Sequence, residues 1–439
     1  MSYLLMARIV VTTVGSLGDL HPMFPVADAL RKRGHSITFA VPPLLQDAVK
    51  VQGFNRHHDP IPPPPGGPGW DRPVAAIKAS VRESYGPYLD QCIKVISDAS
   101  DGADAILSTP NQVATAIVGE RRGIPWVTLT VFPGLIPSAF TVPEPHWLPA
   151  LPTIAGRVVN RLTWRVYRFA LRNMASEVID EAVDAQGLRP DANLFSPGAL
   201  SPHLCLVLSS PVYSPRQPDW PSHVKVTGFT PWDRPRSWRE PRELAGFLED
   251  GPPPVVVTTS MARNAALFFT MARRALEASG HRGILLTGRA SDELLGPAPH
   301  AILENGIAAW RYIPLSHLLP RASFVIHHAG IGTTIATIRH GLPAIAIPTN
   351  FDHWYNAGRV KALGVGRVLS GDQAVVDGNL KYTHLTVERL MEEMDRVTKE
   401  PRYRNRSLEL SRAMEGEDGT ARACDEIEAL LSRVGELSR

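Results

Sequence analysis

The sequence predicts an α/β protein made of two doubly wound domains, and three features carry that reading. Residues 8–41 read as strand, helix, strand. The same alternation restarts after Pro254, and the segment between, Thr230–Pro254, is rich in Pro, Asp, Arg and Gly.

Taken in order, Arg8–Val14 is an apolar, β-branched run, followed by a glycine turn and an apolar stripe at Phe24, Ala27 and Leu30 that ends at Gly34. Ser36–Val41 is a second such run, closed by Pro42 and Pro43, so the first 41 residues hold a βαβ unit of a parallel sheet. Further short strands are expected at Ala105–Ser108, Trp126–Thr130 and Leu204–Leu208. Beyond Pro254, strands at Val255–Thr259, Gly283–Thr287, Phe324–His327, Ala344–Pro348 and Val365–Leu369 alternate with helices over Ala265–Glu277, Thr334–His340 and Asn356–Leu363. The expected division is an N-terminal domain over 1–235, a linker over 236–253 and a C-terminal domain over 254–439, its last helix a candidate to pack back on the N-terminal domain. The proline-dense run Ile61–Pro68 is expected as an exposed loop.

Composition narrows the function. The chain has 439 residues, 44% of them hydrophobic, which is enough for two sizeable cores. Lys and Arg number 46 against 43 Asp and Glu, a net charge of +3, too balanced for a surface that binds nucleic acid by counterion release. Three scattered cysteines (Cys92, Cys205, Cys424) spell neither a disulfide framework nor a zinc site. No run reaches the ~20 apolar residues needed to span a bilayer, and the first residues lack the cationic start of a secretory signal. A cytoplasmic protein is expected.

The most informative stretch is Phe324–Thr334, FVIHHAGIGTT, an apolar strand that passes through two histidines and two glycines into a helix. Glycines let backbone N–H groups approach a phosphate, and the helix start adds positive potential. His328 can donate to a phosphate oxygen, with Thr333 and Thr334 as further donors or caps. A plain tight turn with satisfied polar groups would read the same in isolation.

From Tyr312 to Gly366 the chain closely resembles the donor-binding signature of the UDP-glycosyltransferase superfamily, and in particular its bacterial rhamnosyl-, sterol- and natural-product transferases. The resemblance implies an inverting enzyme of GT-B fold: two facing Rossmann-like domains with a cleft between them, the nucleotide sugar held mainly by the second. It places His328, Gly330, Gly332, Thr333 and Thr334 on the donor diphosphate, Tyr312 on the base with the Ile313 backbone beside it, and Asp352 on sugar hydroxyls. Trp310 is a second flat aromatic that can stack. Three positions depart from the family. His353 stands where Gln is common, Ala336 where plant members carry a ribose-binding Glu, and Ser260 where a Gly often follows the strand, its hydroxyl still able to meet phosphate.

A second match, Gly15-Ser-Leu-Gly-Asp-Leu-His-Pro22, follows the first strand, where side chains reach the carboxyl edge of the sheet. Direct displacement at an anomeric carbon needs a base for the acceptor hydroxyl, and Asp19 and His21 are the two local groups able to act. Gly15 and Gly18 shape the turn beside the donor. By resemblance to bacterial members Asp19 is favoured; its bland role would be to N-cap the first helix. No Asp-x-Asp or His/Asp cluster has metal-ligand spacing, so neither a metal nor a cofactor is expected beyond the nucleotide sugar as co-substrate.

The acceptor is expected to be an apolar small molecule or lipid, walled by Val131–Pro152 with Phe132, Phe140 and Trp147. The next segment, Gly156–Ala182, is helical in period and carries Arg157, Arg161, Arg165, Arg168 and Arg172 as a basic stripe, with Val158, Leu162, Val166 and Phe169 read as its opposite side. Such a stripe is a solvated face or a rest for anionic membrane. A nicotinamide-dependent dehydrogenase is argued against by Gly-Ser-Leu-Gly in place of GxGxxG and by the missing acid after the second strand. A GT-B nucleotide-sugar epimerase and a non-catalytic nucleotide-sugar sensor stand as alternatives.

Overall fold

The computed structural model of the chain describes residues 6–63, 74–110, 112–143, 151–191, 193–196, 198–233, 238–259, 265–288, 295, 298–349, 351–370, 372–376, 379–383 and 385–437. It divides into two units, Met1–Trp232 with Glu417–Arg439, and Asp233–Gly416.

Unit 1 is built on seven strands: β1 Arg8–Thr12, β2 Ser36–Ala40, β3 Asn55–Arg56, β4 Ala105–Ser108, β5 Trp126–Thr130, β6 Leu204–Val207 and β7 Val224–Val226. All pair parallel in the order β3-β2-β1-β4-β5-β6-β7. The chain runs outward from β1 to one side and then jumps to β4 on the other. That reversal opens the carboxyl edge between β1 and β4, where loops diverge and ligands bind in open α/β sheets. Buried on both faces, the strands are continuous apolar runs rather than alternating ones, as in RIVVT and AILS.

One face is covered by α2, Met23–Lys32, whose Phe24, Ala27 and Leu30 enter a core with Phe39 and Leu206. The C-terminal helix Gly419–Leu437 joins the same core through Ala423, Cys424, Ile427 and Leu430. Arg33 fixes it by ion pairs to Asp425 (2.7 Å) and Glu428 (2.6 Å). Its first residue has no room for a side chain: a Cβ on Gly419 would lie 2.3 Å from the Gly228 carbonyl. The other face carries α4 (Val74–Ala99), α5 (Val113–Arg122) and the long α6 (Ile154–Ala185). Cys92, Cys205 and Cys424 are buried free thiols.

Unit 2 repeats the scheme with β8 Val255–Thr258, β9 Gly283–Leu286, β10 His300–Ile302, β11 Ile307–Trp310, β12 Val325–His327, β13 Ala344–Ala346 and β14 Gly366–Val368. The order is β10-β11-β9-β8-β12-β13-β14, with only β10 antiparallel. Here the chain reverses between β8 and β12. A hairpin, β15 Asp372–Val376 with β16 Asn379–Thr383, stands apart from the sheet.

Several expectations change. Within the segment read as a linker, Arg242–Glu249 forms a helix that buries Leu244 in the unit 2 core. The helices expected from Thr334 and Asn356 begin earlier, at Ile331 and Phe351, because glycine and aromatic residues at a helix start do not advertise it. The apolar row of α6 is not opposite its arginines in a buried position. The helix buries a third face, Gly156, Asn160 and Trp164, which leaves the apolar row and Arg161, Arg165 and Arg168 exposed, with Arg157 and Arg172 half-buried.

Candidate functional site

In unit 2 the strand β12 ends at His327, paired to Thr258 of β8 on one side and Ala346 of β13 on the other. The turn that follows therefore lies at the reversal point of the sheet. His327 is fully buried; its Nδ1 accepts the Ala329 N–H at 3.0 Å, which bends the chain back, and Ala329 takes a left-handed conformation with φ 66°. Gly330 then caps the helix Ile331–Arg339 with no side-chain bond of its own. The first N–H groups of that helix have no intrahelical acceptor, and the helix dipole adds to their positive potential. Gly332 is exposed on this first turn, and a Cβ placed there would meet no protein atom within 4 Å.

His328 leans over the same turn: its Nε2 would lie 2.4 Å from a Cβ on Gly330. Burial, then the neighbouring His353, push its pKa down to about 3 despite a hydrogen bond to the Thr258 backbone. His327 is likewise pushed down to about 3, by burial and by the two other imidazoles. His353 packs edge-on against His328, ring centroids 4.7 Å apart, and shares a 2.9 Å hydrogen bond between its Nδ1 and the Thr349 hydroxyl. Its pKa falls to about 4 through burial. Three neutral imidazoles therefore line the turn at neutral pH. Asp352, in the first turn of the helix Phe351–Leu363, is partly exposed, and its Oδ1 stands 3.9 Å from His353 Nε2. Burial raises its pKa above the ordinary carboxylate value.

The structure sorts the other unit 2 residues. Thr333 is half-buried at the helix start, whereas Thr334 is buried and donates its hydroxyl to the Gly330 carbonyl at 2.9 Å, stiffening the turn from within. Tyr312 is 48% exposed; Trp310 is 2% exposed, in the core and stacked on His300 at 5.6 Å. The indole is thus removed as a stacking surface, because it packs in the unit 2 core with Leu244 and Ile284. Ile313 is buried. Ser260 lies outside the described residues, as does Trp147.

In unit 1 the turn after β1 is closed by a capping box. Ser16, not Asp19, is the N-cap of the short helix Leu17–Leu20: its hydroxyl accepts the Gly18 N–H at 3.1 Å, and Asp19 Oδ2 accepts the Ser16 N–H at 2.9 Å and Ser16 Oγ–H at 3.2 Å. Gly15, at φ 116°, makes room for the carboxylate, since a Cβ there would stand 2.5 Å from Asp19 Oδ2. Asp19 is half-buried at the carboxyl edge of β1, on the β1/β4 reversal. His21 follows at the helix end, its ring 6.2 Å from that of Phe24.

The loop after β5 is pinned by residues the sequence reading did not single out. Asn160 is buried on α6; its Nδ2 donates to the Ala139 (2.8 Å) and Leu151 (3.1 Å) carbonyls, and its Oδ1 accepts the Leu151 N–H. Trp164, one turn on, donates to the Thr141 carbonyl, and Asp219 accepts from the Ser138 hydroxyl and the Ala139 N–H, both at 2.7 Å. The signal was present: Asn160 is the only polar residue in the i, i+4 row Gly156–Asn160–Trp164. Among the described residues, no group of three or more His, Cys, Asp or Glu could hold a metal ion, and no helix is long and apolar enough to cross a membrane.

Two doubly wound Rossmann-like units, each with a polar turn at its reversal point, define a GT-B protein. Residues 9–141 match the glycosyltransferase family 28 N-terminal domain, and residues 299–430 the erythromycin biosynthesis protein CIII-like C-terminal domain. The chain is 30% identical to vancomycin aglycone glucosyltransferase of Amycolatopsis orientalis, over 82% of this chain and 85% of that one. It is 28% identical to O-mycaminosyltylonolide 6-deoxyallosyltransferase of Streptomyces fradiae, over 96% and 97%. Among solved structures, the calicheamicin glycosyltransferase CalG4 superposes with a TM-score of 0.70 at 19% identity, covering 98% of this chain and 99% of that one. A spinosyn rhamnosyltransferase complexed with thymidine diphosphate does so at 0.62 and 19%, covering 98% and 100%. The chain belongs to the natural-product glycosyltransferase family, and it is a glycosyltransferase.

Proposed function

We propose that the enzyme transfers a hexose or deoxyhexose from a dTDP- or UDP-sugar to a hydroxyl of a lipophilic acceptor, with inversion at the anomeric carbon. The observation that carries this reading is the exposed, side-chain-free Gly332 at a helix start, two residues after Gly330, on which the buried imidazole of His328 leans. An anion held there is met by backbone N–H groups and the helix dipole. Gly330, Gly332 and Thr333 hold the diphosphate, and His328, whose neutral ring bonds the Thr258 backbone, donates to it as the imidazolium that a bound anion favours. Thr334 braces the turn, Tyr312 stacks on the base, and Asp352 with His353 meets sugar hydroxyls. Relatives named as glucosyl- and 6-deoxyallosyltransferases, and a neighbour solved with thymidine diphosphate, support donors of this class.

In the reaction the acceptor oxygen attacks the anomeric carbon as the bond from that carbon to the β-phosphate oxygen breaks, its electron pair leaving with the diphosphate. Asp19 takes the acceptor proton; His21 is the second group able to do so. Charge gathering on the leaving diphosphate is stabilised by donors that are already in place, which is how fixed dipoles lower a barrier.

The test is to incubate the protein with dTDP- and UDP-sugars and a panel of apolar hydroxylated acceptors. A new glycoside with inverted linkage and one equivalent of free nucleotide is expected. An altered sugar nucleotide formed without acceptor would make it an epimerase, and binding without turnover a sensor.

A further inference from the structure

We propose that the N-terminal half of α6 is an interfacial membrane helix that seats unit 1 on an anionic lipid bilayer. Ile154, Val158, Leu162, Val166 and Phe169 recur at spacings of four, four, four and three, so they share one face of the helix. That face is in the open: Ile154 is 82% exposed and Phe169 70%, and the three between are at least half exposed. A row of large apolar side chains on one exposed face is what soluble surfaces avoid unless something covers them.

Charge identifies the cover. Arg161, Arg165 and Arg168 are exposed along one edge of the apolar row, and none is in an ion pair among the described residues. From Ile154 to Ser176 the helix holds five arginines and no Asp or Glu; the first acid is Glu177. A second copy docked through this patch would gather five arginines from each copy and no acid of the segment into one contact, because a two-fold contact uses the same patch on both copies. An anionic bilayer supplies instead an apolar layer for the row and phosphates for the guanidinium groups, whose long stems lie along the apolar surface while their heads stay in water. The buried face of the same helix, Asn160 and Trp164, holds the loop after β5, so nothing that pins that loop is spent on the bilayer. The inference stands independently of the proposed transfer reaction.

Co-sedimentation of the full-length protein with phosphatidylcholine vesicles, with and without phosphatidylglycerol, tests it at low salt. Wild type is expected to pellet with the anionic vesicles and not with the neutral ones. Leu162→Ser with Phe169→Ser, and separately Arg161→Glu with Arg165→Glu, should each weaken vesicle binding roughly tenfold or more while melting temperature and transfer to a water-soluble acceptor stay at wild-type values. Wild type that ignores both vesicles, or charge-reversed protein that binds as before, overturns the proposal. So does a wild-type dimer, seen by sedimentation and dispersed by the serine pair, in a protein that ignores vesicles: the cover would then be a second copy.

Discussion

His328 Nε2 and Gly330 are in a relationship only glycine permits: a Cβ on residue 330 would lie 2.4 Å from the imidazole nitrogen, whereas one on Gly332, two residues on, would touch nothing. Substitution should therefore separate structure from binding. Gly330→Ala must displace His328 or the turn, and is expected to lower both melting temperature and affinity for dTDP or UDP. Gly332→Ala should melt as wild type but lose at least about tenfold in nucleotide affinity, since its methyl group occupies the place assigned to phosphate and forces unpaired charge-assisted bonds. Calorimetric titration of both variants with each nucleotide decides this; wild-type affinity in Gly332→Ala would remove the phosphate from that turn.

The imidazoles predict an acid limit to stability. His353 titrates at about 4 in the folded protein against 6.5 ordinarily. As pH falls through 6.5 the unfolded chain takes up its proton while the folded one does not, so stability is lost between 6.5 and about 4 and is flat above 6.5 for this group. His353→Gln removes one such proton. Its stability, measured by chemical unfolding from neutrality to about pH 4, should fall less steeply than wild type, by up to about 1.4 kcal/mol per pH unit. Parallel curves would show that His353 is not held neutral.

Asn160 ties α6 to the loop that follows β5, and its loss leaves the buried Ala139 carbonyl without its partner and frees the backbone of the exposed Leu151 to meet water. Asn160→Ala is expected to cost about 1–3 kcal/mol of stability, the penalty of leaving the one buried carbonyl unpaired. In the assigned reading that loop meets the acceptor, so the acceptor KM should rise while nucleotide affinity, a property of unit 2, stays unchanged. An unaltered acceptor KM in the folded variant would take the loop out of acceptor binding.

Much of this was legible because the informative residues are chained to local geometry. Apolar β-branched runs gave the strands from Arg8 and Val255 onward, and HHAGIGTT announced a strand-to-helix turn with glycines where a side chain has no room or would fill open space. What escaped depends on distant partners. The last helix was expected as a candidate to pack back on the N-terminal domain, but nothing near Gly419 names Gly228 and Arg33 as its partners, the second almost four hundred residues earlier in the chain. Trp310 was a nearby competitor of Tyr312 for stacking, and only its packing in the unit 2 core takes it out of reach. The capping role went to Ser16 because a box needs the carboxylate at its third helical position, which is where Asp19 stands. The two-residue β3 and the three-residue β7 are too short to show any period.

The central claim is that Asp19 takes the acceptor's proton, and turnover of Asp19→Asn tests it most directly. Asn keeps the size of the side chain and an oxygen for the Ser16 N–H, so the capping box and the melting temperature should largely survive, and nucleotide affinity should barely change. With a base lost, kcat should fall by roughly 10²–10⁴. A folded, nucleotide-binding Asp19→Asn protein with near wild-type kcat would contradict the account, and if His21→Ala measured alongside it were inactive, the base would be His21.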